Sequence, residues 1–221
     1  MYSYKHPHPS VTTDIVIFTL REEKLNLLLI KRAVEPFKGQ WALPGGFVRM
    51  DEDLDSGARR ELQEETGISG VFLEQLYTFG AVERDPRERV ITVAYYALVP
   101  SDKIVLKATT DAVDAKWFAL DDLPPLAFDH PEILNMARQR LLAKLDYSTI
   151  AFQFMPETFT LTELQRVYES ILQEEMDKRN FRKWALALEQ IEETGEMRRK
   201  SASRPAKLYR IKDHTKVEIL K

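Results

Sequence analysis

The 221-residue chain contains no cysteine. That excludes disulfides and any thiolate metal site, and it fits a reducing compartment. No apolar run approaches the twenty or so residues of a membrane-spanning helix. The first residues, MYSYKHPHPS, lack the apolar stretch of a secretory signal. A cytoplasmic protein with no membrane partner is therefore expected. The net charge is only −3, so the chain as a whole offers no strong field to nucleic acid. There is no internal repeat and no low-complexity segment. What is present is a normal 44% hydrophobic content, enough for one large domain or two small ones.

The small net charge hides an uneven distribution. Residues 1–155 carry 18 Lys and Arg against 23 Asp and Glu, whereas residues 178–212 carry 11 basic side chains against 4 acidic ones. A local basic region of this kind sets a local field whatever the total.

The most informative stretch runs from Gly46 to Ile68 and reads GFVRMDEDLDSGARRELQEETGI. It fits G-x5-E-x7-R-E-apolar-x-E-E-x-G-apolar, with Gly46, Glu52, Arg60, Glu61, Glu64, Glu65 and Gly67 in the fixed places. Seven such identities coincide by chance in about one window in 10^8. Ser56 to Thr66 reads as one helix, with Asp53 and Asp55 at its positive end and Gly67 as its stop. Glu61, Glu64 and Glu65 fall at i, i+3 and i+4, so they share a face. Three carboxylates so close call for a hard divalent cation, which takes oxygen ligands. The expected metal ligands are Glu52, Glu61, Glu64 and Glu65, with Mg2+ as the cofactor or Mn2+ in its place. Arg60 is expected on a different face from Glu64, tethering the Glu52 loop. Arg60, Glu61, Glu64 and Glu65 form the catalytic set. The plainer reading of the same residues is an acidic solvated helix, but that does not explain Gly46 and Gly67 at their offsets.

Around this stretch the pattern is mixed. Thr12–Leu20 and Leu25–Lys31 read as a strand pair, with further strands at Phe72–Gly80, Arg89–Val99 and Ala115–Ala119. Glu132–Leu145 has helical spacing. Three places offer ligand contacts. Arg32 ends a strand just ahead of the glutamate helix. Arg84 and Arg87 lie in the charged loop Glu83–Arg89, which reads as a phosphate or ribose clamp, because a guanidinium forks onto phosphate oxygens, with a plain soluble loop as the alternative. His130 lies in Phe128-Asp129-His130-Pro131, which also reads as a plain helix start with Asp129 as cap. Gly45 and Gly46 complete the expected ligand side.

The last third reads differently. Thr160-Leu161-Thr162-Glu163 has capping-box spacing and opens an amphipathic run to about Gln173. Asp177 can cap a second helix to about Gln190, with Phe181, Trp184, Ala185 and Leu188 on one stripe. Lys178, Arg179, Asn180, Arg182 and Lys183 occupy the rest of its first turns. Ile191–Thr194 and Lys207–Ile211 read as strands around a basic tip holding Arg198, Arg199, Lys200 and Arg204. Two short helices, the second basic, followed by a basic hairpin make a winged helix-turn-helix, for which operator DNA is the expected partner. A basic solvated appendage is the plainer alternative.

The 46–68 motif is the Nudix box, and the chain resembles the Nudix superfamily. With the segments LAFDHPEIL, FTLTELQRVYESIL, MDKRNFRK and SRPAKLYRI, it is similar to the Nudix-related transcriptional regulators of bacteria. The resemblance implies an α+β chain: a Nudix α/β/α sandwich over residues 1–145, a linker over 146–158, and a winged helix over 159–221. It implies a Nudix domain that senses ADP-ribose or a similar sugar metabolite, a ligand-side place for His130, and a homodimer on DNA. Many such regulators carry a degraded box; here every box residue is intact. Two functions follow, a ligand-responsive DNA-binding regulator that retains hydrolysis, or a Mg2+-dependent pyrophosphohydrolase of ADP-ribose-like substrates whose C-terminal domain serves dimerisation.

Overall fold

A computed structural model describes residues 4–100, 102, 112–199, 205–213 and 216–220. Its first two strands, β1 (Ser10–Arg21) and β2 (Lys24–Arg32), form the expected hairpin. They are joined only over Phe18–Arg21, and then they part. The N-terminal half of β1 pairs instead with β4 (Gly45–Phe47), and β2 pairs with β3 (Trp41–Ala42) and β7 (Ala112–Ala119). On its other edge β1 runs parallel to β6 (Val90–Val99), which is flanked by the antiparallel strand β5 (Phe72–Phe79). These seven strands form one sheet.

Alternation along β1 decides what covers each face. Ile15 and Ile17 point toward Ala58 and Leu62 of α1 (Leu54–Thr66), whereas Val16 and Phe18 point toward Ile133, Ala137 and Leu141 of α2 (His130–Tyr147). Each of the buried Val, Ile, Leu and Phe side chains among these contributes about 1.5–3 kcal/mol of transfer free energy. The α/β/α layering follows from this two-sided burial. Helix α1 begins at Leu54, two residues ahead of the expected Ser56, because Asp53 accepts from the Ser56 amide as its cap, and it ends as expected at Gly67 in the left-handed conformation.

The segment 146–158 is not a solvated tether. Ile150–Phe154 forms a 3-10 helix in which Ile150, Ala151, Phe152 and Phe154 are buried, and Met155 beyond it is buried too. These side chains belong to the same apolar cluster as α2 and as α3 (Leu161–Leu172). The cluster continues to Phe181 and Ala185 of α4 (Lys178–Ala187) and to Ile191, Tyr209 and Ile211 of the hairpin β8 (Ile191–Arg198) and β9 (Ala206–Ile211). The last described residues return to the junction: Leu220 donates its amide to the Tyr147 carbonyl and Thr149 donates to Glu218. A salt bridge from Arg166 of α3 to Glu23, in the β1–β2 turn, adds a polar contact on the surface.

The winged helix itself forms as its sequence directs. Thr160 and Glu163 make both halves of the capping box at the start of α3. Gln173 ends that helix in the left-handed conformation. The turn to α4 is fixed by Glu169, which accepts from the Met176 amide and from Gln165. Tyr168 of α3 packs edge-on against Phe181 and Trp184 of α4.

Candidate functional site

Register places the glycine strand against the helix. Thr13 pairs with Gly46 and Asp14 with Gly45, so β4 lies beside β1 with α1 above it. A side chain at Gly46 would stand 2.5 Å from Glu61 Oε1, and one at Gly45 would stand 2.1 Å from the Thr13 carbonyl oxygen. Backbone leaves room only for hydrogen at Gly45, whereas at Gly46 a side chain would have to displace the Glu61 carboxylate. The Gly45 amide donates to Glu65 at 2.7 Å, which ties strand to helix.

Arg60 lies among the acidic side chains. Its guanidinium donates to Glu52 at 2.7 and 2.9 Å, to Glu61 at 2.6 Å and to Glu64 at 2.9 Å. The tether to Glu52 is therefore present. The expectation that Arg60 faces away from Glu64 is corrected: 3.6 residues per turn makes i+4 a neighbour, and the two side chains meet. Arg49, on the loop ahead of the helix, also reaches Glu64, at 3.3 Å. Hydrogen bonds from Arg60 and from the Arg49 amide pull the Glu52 carboxyl down to about 2, whereas burial pushes that of Glu61 up. Among the described residues no group of three or more carboxylates or imidazoles stands arranged around a metal-sized space. Glu52, Glu61 and Glu64 surround a guanidinium, and Glu65 turns to the Gly45 amide. The donor set is still that of a hard cation: Glu52, Glu61, Glu64 and Glu65 offer only carboxylate oxygens, and three of them already meet on one positive charge.

Beside this cluster lies a cavity of about 240 Å³. All six expected ligand-side residues, Arg32, Gly45, Gly46, Arg84, Arg87 and His130, line it. Their states differ. Arg84 is only 4% exposed in its side chain and forks onto Asp129, at 2.7 and 2.9 Å, with Asp14 at 3.1 Å. Burial works against its charge and the two carboxylates outweigh burial, so its pKa is raised. Arg84 thus braces the wall rather than reaching out as a clamp. It also claims the Asp129 carboxylate, which stands at the cap position of α2 but makes no capping hydrogen bond. Arg87 is more open, paired with Asp85 and 5.5 Å from the Phe47 ring. Arg32 lies 4.9 Å over the Phe128 ring, and burial followed by repulsion from Arg87 lowers its pKa.

His130 is buried, and its Nδ1 accepts the Leu43 amide at 2.9 Å. Burial lowers its pKa, so the neutral imidazole is the stable form. Its other nitrogen stands 3.7 Å from Asp14. Three contributors escape sequence reasoning. Asp14 was hidden in the apolar run of β1, where a lone acidic residue is itself the clue. Phe128 carries no signal of its own beyond its segment; it holds a positive φ of 55° and meets Phe37, at φ 61°, edge-on at 4.6 Å. Bulky side chains rarely adopt this conformation, and it clusters at ligand sites. Thr12 lines the cavity with a buried hydroxyl that has no partner.

The second candidate surface is on α4. Lys178, Arg179, Asn180, Arg182 and Lys183 are all exposed, while Phe181 and Ala185 point into the core. Asp177 accepts from the Asn180 amide and so starts the helix. Arg199 is exposed just past β8. Arg198 is not displayed in the same way: it forks onto Glu163 and the Thr158 carbonyl. Lys200 and Arg204 lie outside the described residues.

Comparison with known proteins agrees with both halves. Residues 9–137 match the NUDIX domain and residues 151–211 match the NrtR DNA-binding winged helix domain. An ADPR responsive transcriptional repressor from Acinetobacter baylyi is 39% identical over 209 residues, spanning 93% of this chain and 83% of that one. An ADP-ribose pyrophosphatase from Methanocaldococcus jannaschii is 42% identical over 128 residues, 58% of this chain and 72% of its own. The structure of Shewanella oneidensis NrtR complexed with a 27mer DNA superposes with a TM-score of 0.81 at 37% identity, covering 91% of this chain and 93% of that one. The chain therefore belongs to the Nudix family and carries an NrtR-type winged helix as its second module.

Proposed function

We propose that the protein is an ADP-ribose-responsive transcriptional repressor, cytoplasmic and homodimeric, that holds operator DNA through its winged helix. The observation that carries this reading is the continuous apolar core. It joins α2, whose first residue His130 lines the cavity, to α4, whose exposed face is basic. Similarity to the A. baylyi repressor over nearly the whole chain supports it. A sugar nucleotide suits the cavity. Arg32 and Arg87 offer charge to phosphates, Phe47 and Phe128 offer flat faces, and the Thr12 hydroxyl and the glycine strand offer polar contacts at close range.

On the DNA side, Lys178, Arg179, Arg182, Lys183 and Arg199 contact phosphate, and Asn180 reads a base edge, since an amide pairs with adenine in two places. In a dimer two such helices fall about 34–36 Å apart, one turn of duplex. Ligand weakens DNA binding if it favours the dimer geometry that does not fit the operator. A gel-shift on the duplex upstream of the gene, with and without ADP-ribose, tests this. The reading expects a retarded band that ADP-ribose diminishes, and it fails if no band forms.

The intact box favours a second activity in the same site. Glu52, Glu61, Glu64 and Glu65 would hold Mg2+, or Mn2+ in its place. Bound there, the ion supplies positive charge to a pyrophosphate and makes a water more acidic. Arg60 positions Glu52 and Glu61, and the Gly45–Gly46 backbone brings substrate close to the helix. ADP-ribose plus water would yield AMP and ribose 5-phosphate.

A further inference from the structure

Arg198 fastens the far end of β8 to the start of α3. Arg198 is the last residue of β8, at the end of the hairpin far from its Ile191–Ile211 base. Its Nη1 donates to Glu163 Oε1 at 2.9 Å and Oε2 at 3.0 Å, and its Nη2 donates to the Thr158 carbonyl at 3.0 Å. Both side chains are more than half covered, at 33% and 26% exposed. The Glu163 carboxylate also accepts the Thr160 amide within the capping box. On the other strand, Tyr209 exchanges both backbone hydrogen bonds with Phe159. The stem 158–163 is thus gripped by β9 through its backbone and by β8 through one guanidinium. Between the two grips β8 is irregular: the register shifts between Glu193 and Met197, and Gly195 has a φ of 81°. A strand broken by a bulge does not set the direction of its own far end.

We propose that Arg198 is a positioning residue for DNA recognition rather than a phosphate contact. Its fork onto Glu163 and Thr158 sets the angle of the wing against the α3–α4 pair and presents the exposed Arg199 to the duplex. The inference rests on the DNA-binding reading above. A planar guanidinium suits this place, because it bridges a carboxylate and a carbonyl at once, which an ammonium on a flexible stem does not hold in fixed geometry.

The alternative, that Arg198 swings out to phosphate, makes the opposite prediction for its partner. Glu163 would then compete with DNA for the arginine, and Glu163→Gln would tighten binding. If Arg198 is a strut, the same change loosens the wing and weakens binding, even though it removes a negative charge. Glutamine still completes a capping box, so the start of α3 is retained. The experiment is a fluorescence titration of a labelled duplex from the region upstream of the gene, repeated over a range of salt, with the full-length wild type, Arg198→Ala, Arg198→Lys, Glu163→Gln and the Ala/Gln double variant. Thermal unfolding of each checks the fold.

Loss of a charge-assisted fork gives an expected weakening of about tenfold in Arg198→Ala and Glu163→Gln. The double variant should be no weaker than Arg198→Ala, and Arg198→Lys should recover only part. Any change in the salt slope should be the same in Arg198→Ala and Glu163→Gln, because both act through the one wing that carries Arg199. Tighter binding by Glu163→Gln, or a slope about one unit flatter in Arg198→Ala but not in Glu163→Gln, overturns the strut. So does unchanged affinity in both Arg198→Ala and Glu163→Gln, or full recovery by lysine. Wild type that binds no duplex at any salt refutes the DNA-binding reading itself, a result distinct from all of these.

Discussion

Replacing His130 separates the chemistry of its two ring nitrogens. Nδ1 accepts the Leu43 amide, and that amide sits in the segment leading to Gly45 and Gly46. His130→Ala leaves a buried N–H without an acceptor, at a cost of about 1–3 kcal/mol, and opens a void where the ring packed 5.2 Å from Phe128. A total loss of roughly 2–4 kcal/mol is expected. His130→Asn places an amide oxygen near the Nδ1 position, so it should recover most of the unsatisfied-amide part. The pH dependence has a definite sign. Burial lowers the folded-state pKa of His130, while in the unfolded chain it titrates near the ordinary value of about 6.5. Below that value the unfolded state binds the extra proton. The stability is fully present above about pH 6.5 and is lost as pH falls through the depressed folded value, at no more than about 1.4 kcal/mol per pH unit. Protonation also puts a hydrogen on the nitrogen that must accept from Leu43. Urea unfolding of wild type, His130→Ala and His130→Asn between pH 5 and 8 measures both effects. Two results refute the reasoning: equal instability of the two variants, or parallel pH profiles for wild type and His130→Asn.

Other outcomes follow from single contacts. Gly46→Ala forces a methyl against the buried Glu61 carboxylate at 2.5 Å, so calorimetry should show a loss of about 1–3 kcal/mol and, if the wild type hydrolyses ADP-ribose, turnover should fall with it. Glu64 is half exposed, so Glu64→Gln should unfold near the wild-type temperature and, if the wild type releases AMP from ADP-ribose with Mg2+, should lose that release; retained release rejects its role. Arg182→Ala should weaken binding to all duplexes alike and flatten the salt slope by about one unit, and an unchanged slope would make that face merely solvated. The Glu52 carboxyl, held at about 2 in the folded chain, contributes stability present above its ordinary pKa of 4.5 and lost as pH falls toward 2; acid unfolding of Glu52→Gln should lack that part of the wild-type decline.

The parts of the molecule legible in its sequence are those set by local rules. The limits of α1 are written in Asp53 and Gly67, and the start of α3 in Thr160 and Glu163, because caps act within one turn. The three-residue strand β4 is not legible in this way. It exists because β1 is long enough to pair with β2 at one end and β4 at the other, a tertiary choice. The 146–158 segment has no helical period, yet Phe152, Phe154 and Met155 signal burial, and they fill the seam between α2 and α3. Within the site, residue types were readable and pairings were not. Arg84 looks like a free cation until Asp14, 70 positions earlier, is seen beside it. Arg198 looks like one more basic wing residue until Glu163 is seen beneath it.

The central claim is that one chain couples the cavity beside α1 to the basic face of α4. Coupling free energy is reciprocal, so it can be read from the ligand side. Calorimetric titration of ADP-ribose into the free protein and into the protein saturated with the upstream duplex measures it directly. The account predicts weaker ADP-ribose binding to the DNA-bound form, by the same factor by which ADP-ribose weakens DNA binding. Equal affinity of both forms for ADP-ribose would contradict it and leave two independent modules sharing one core.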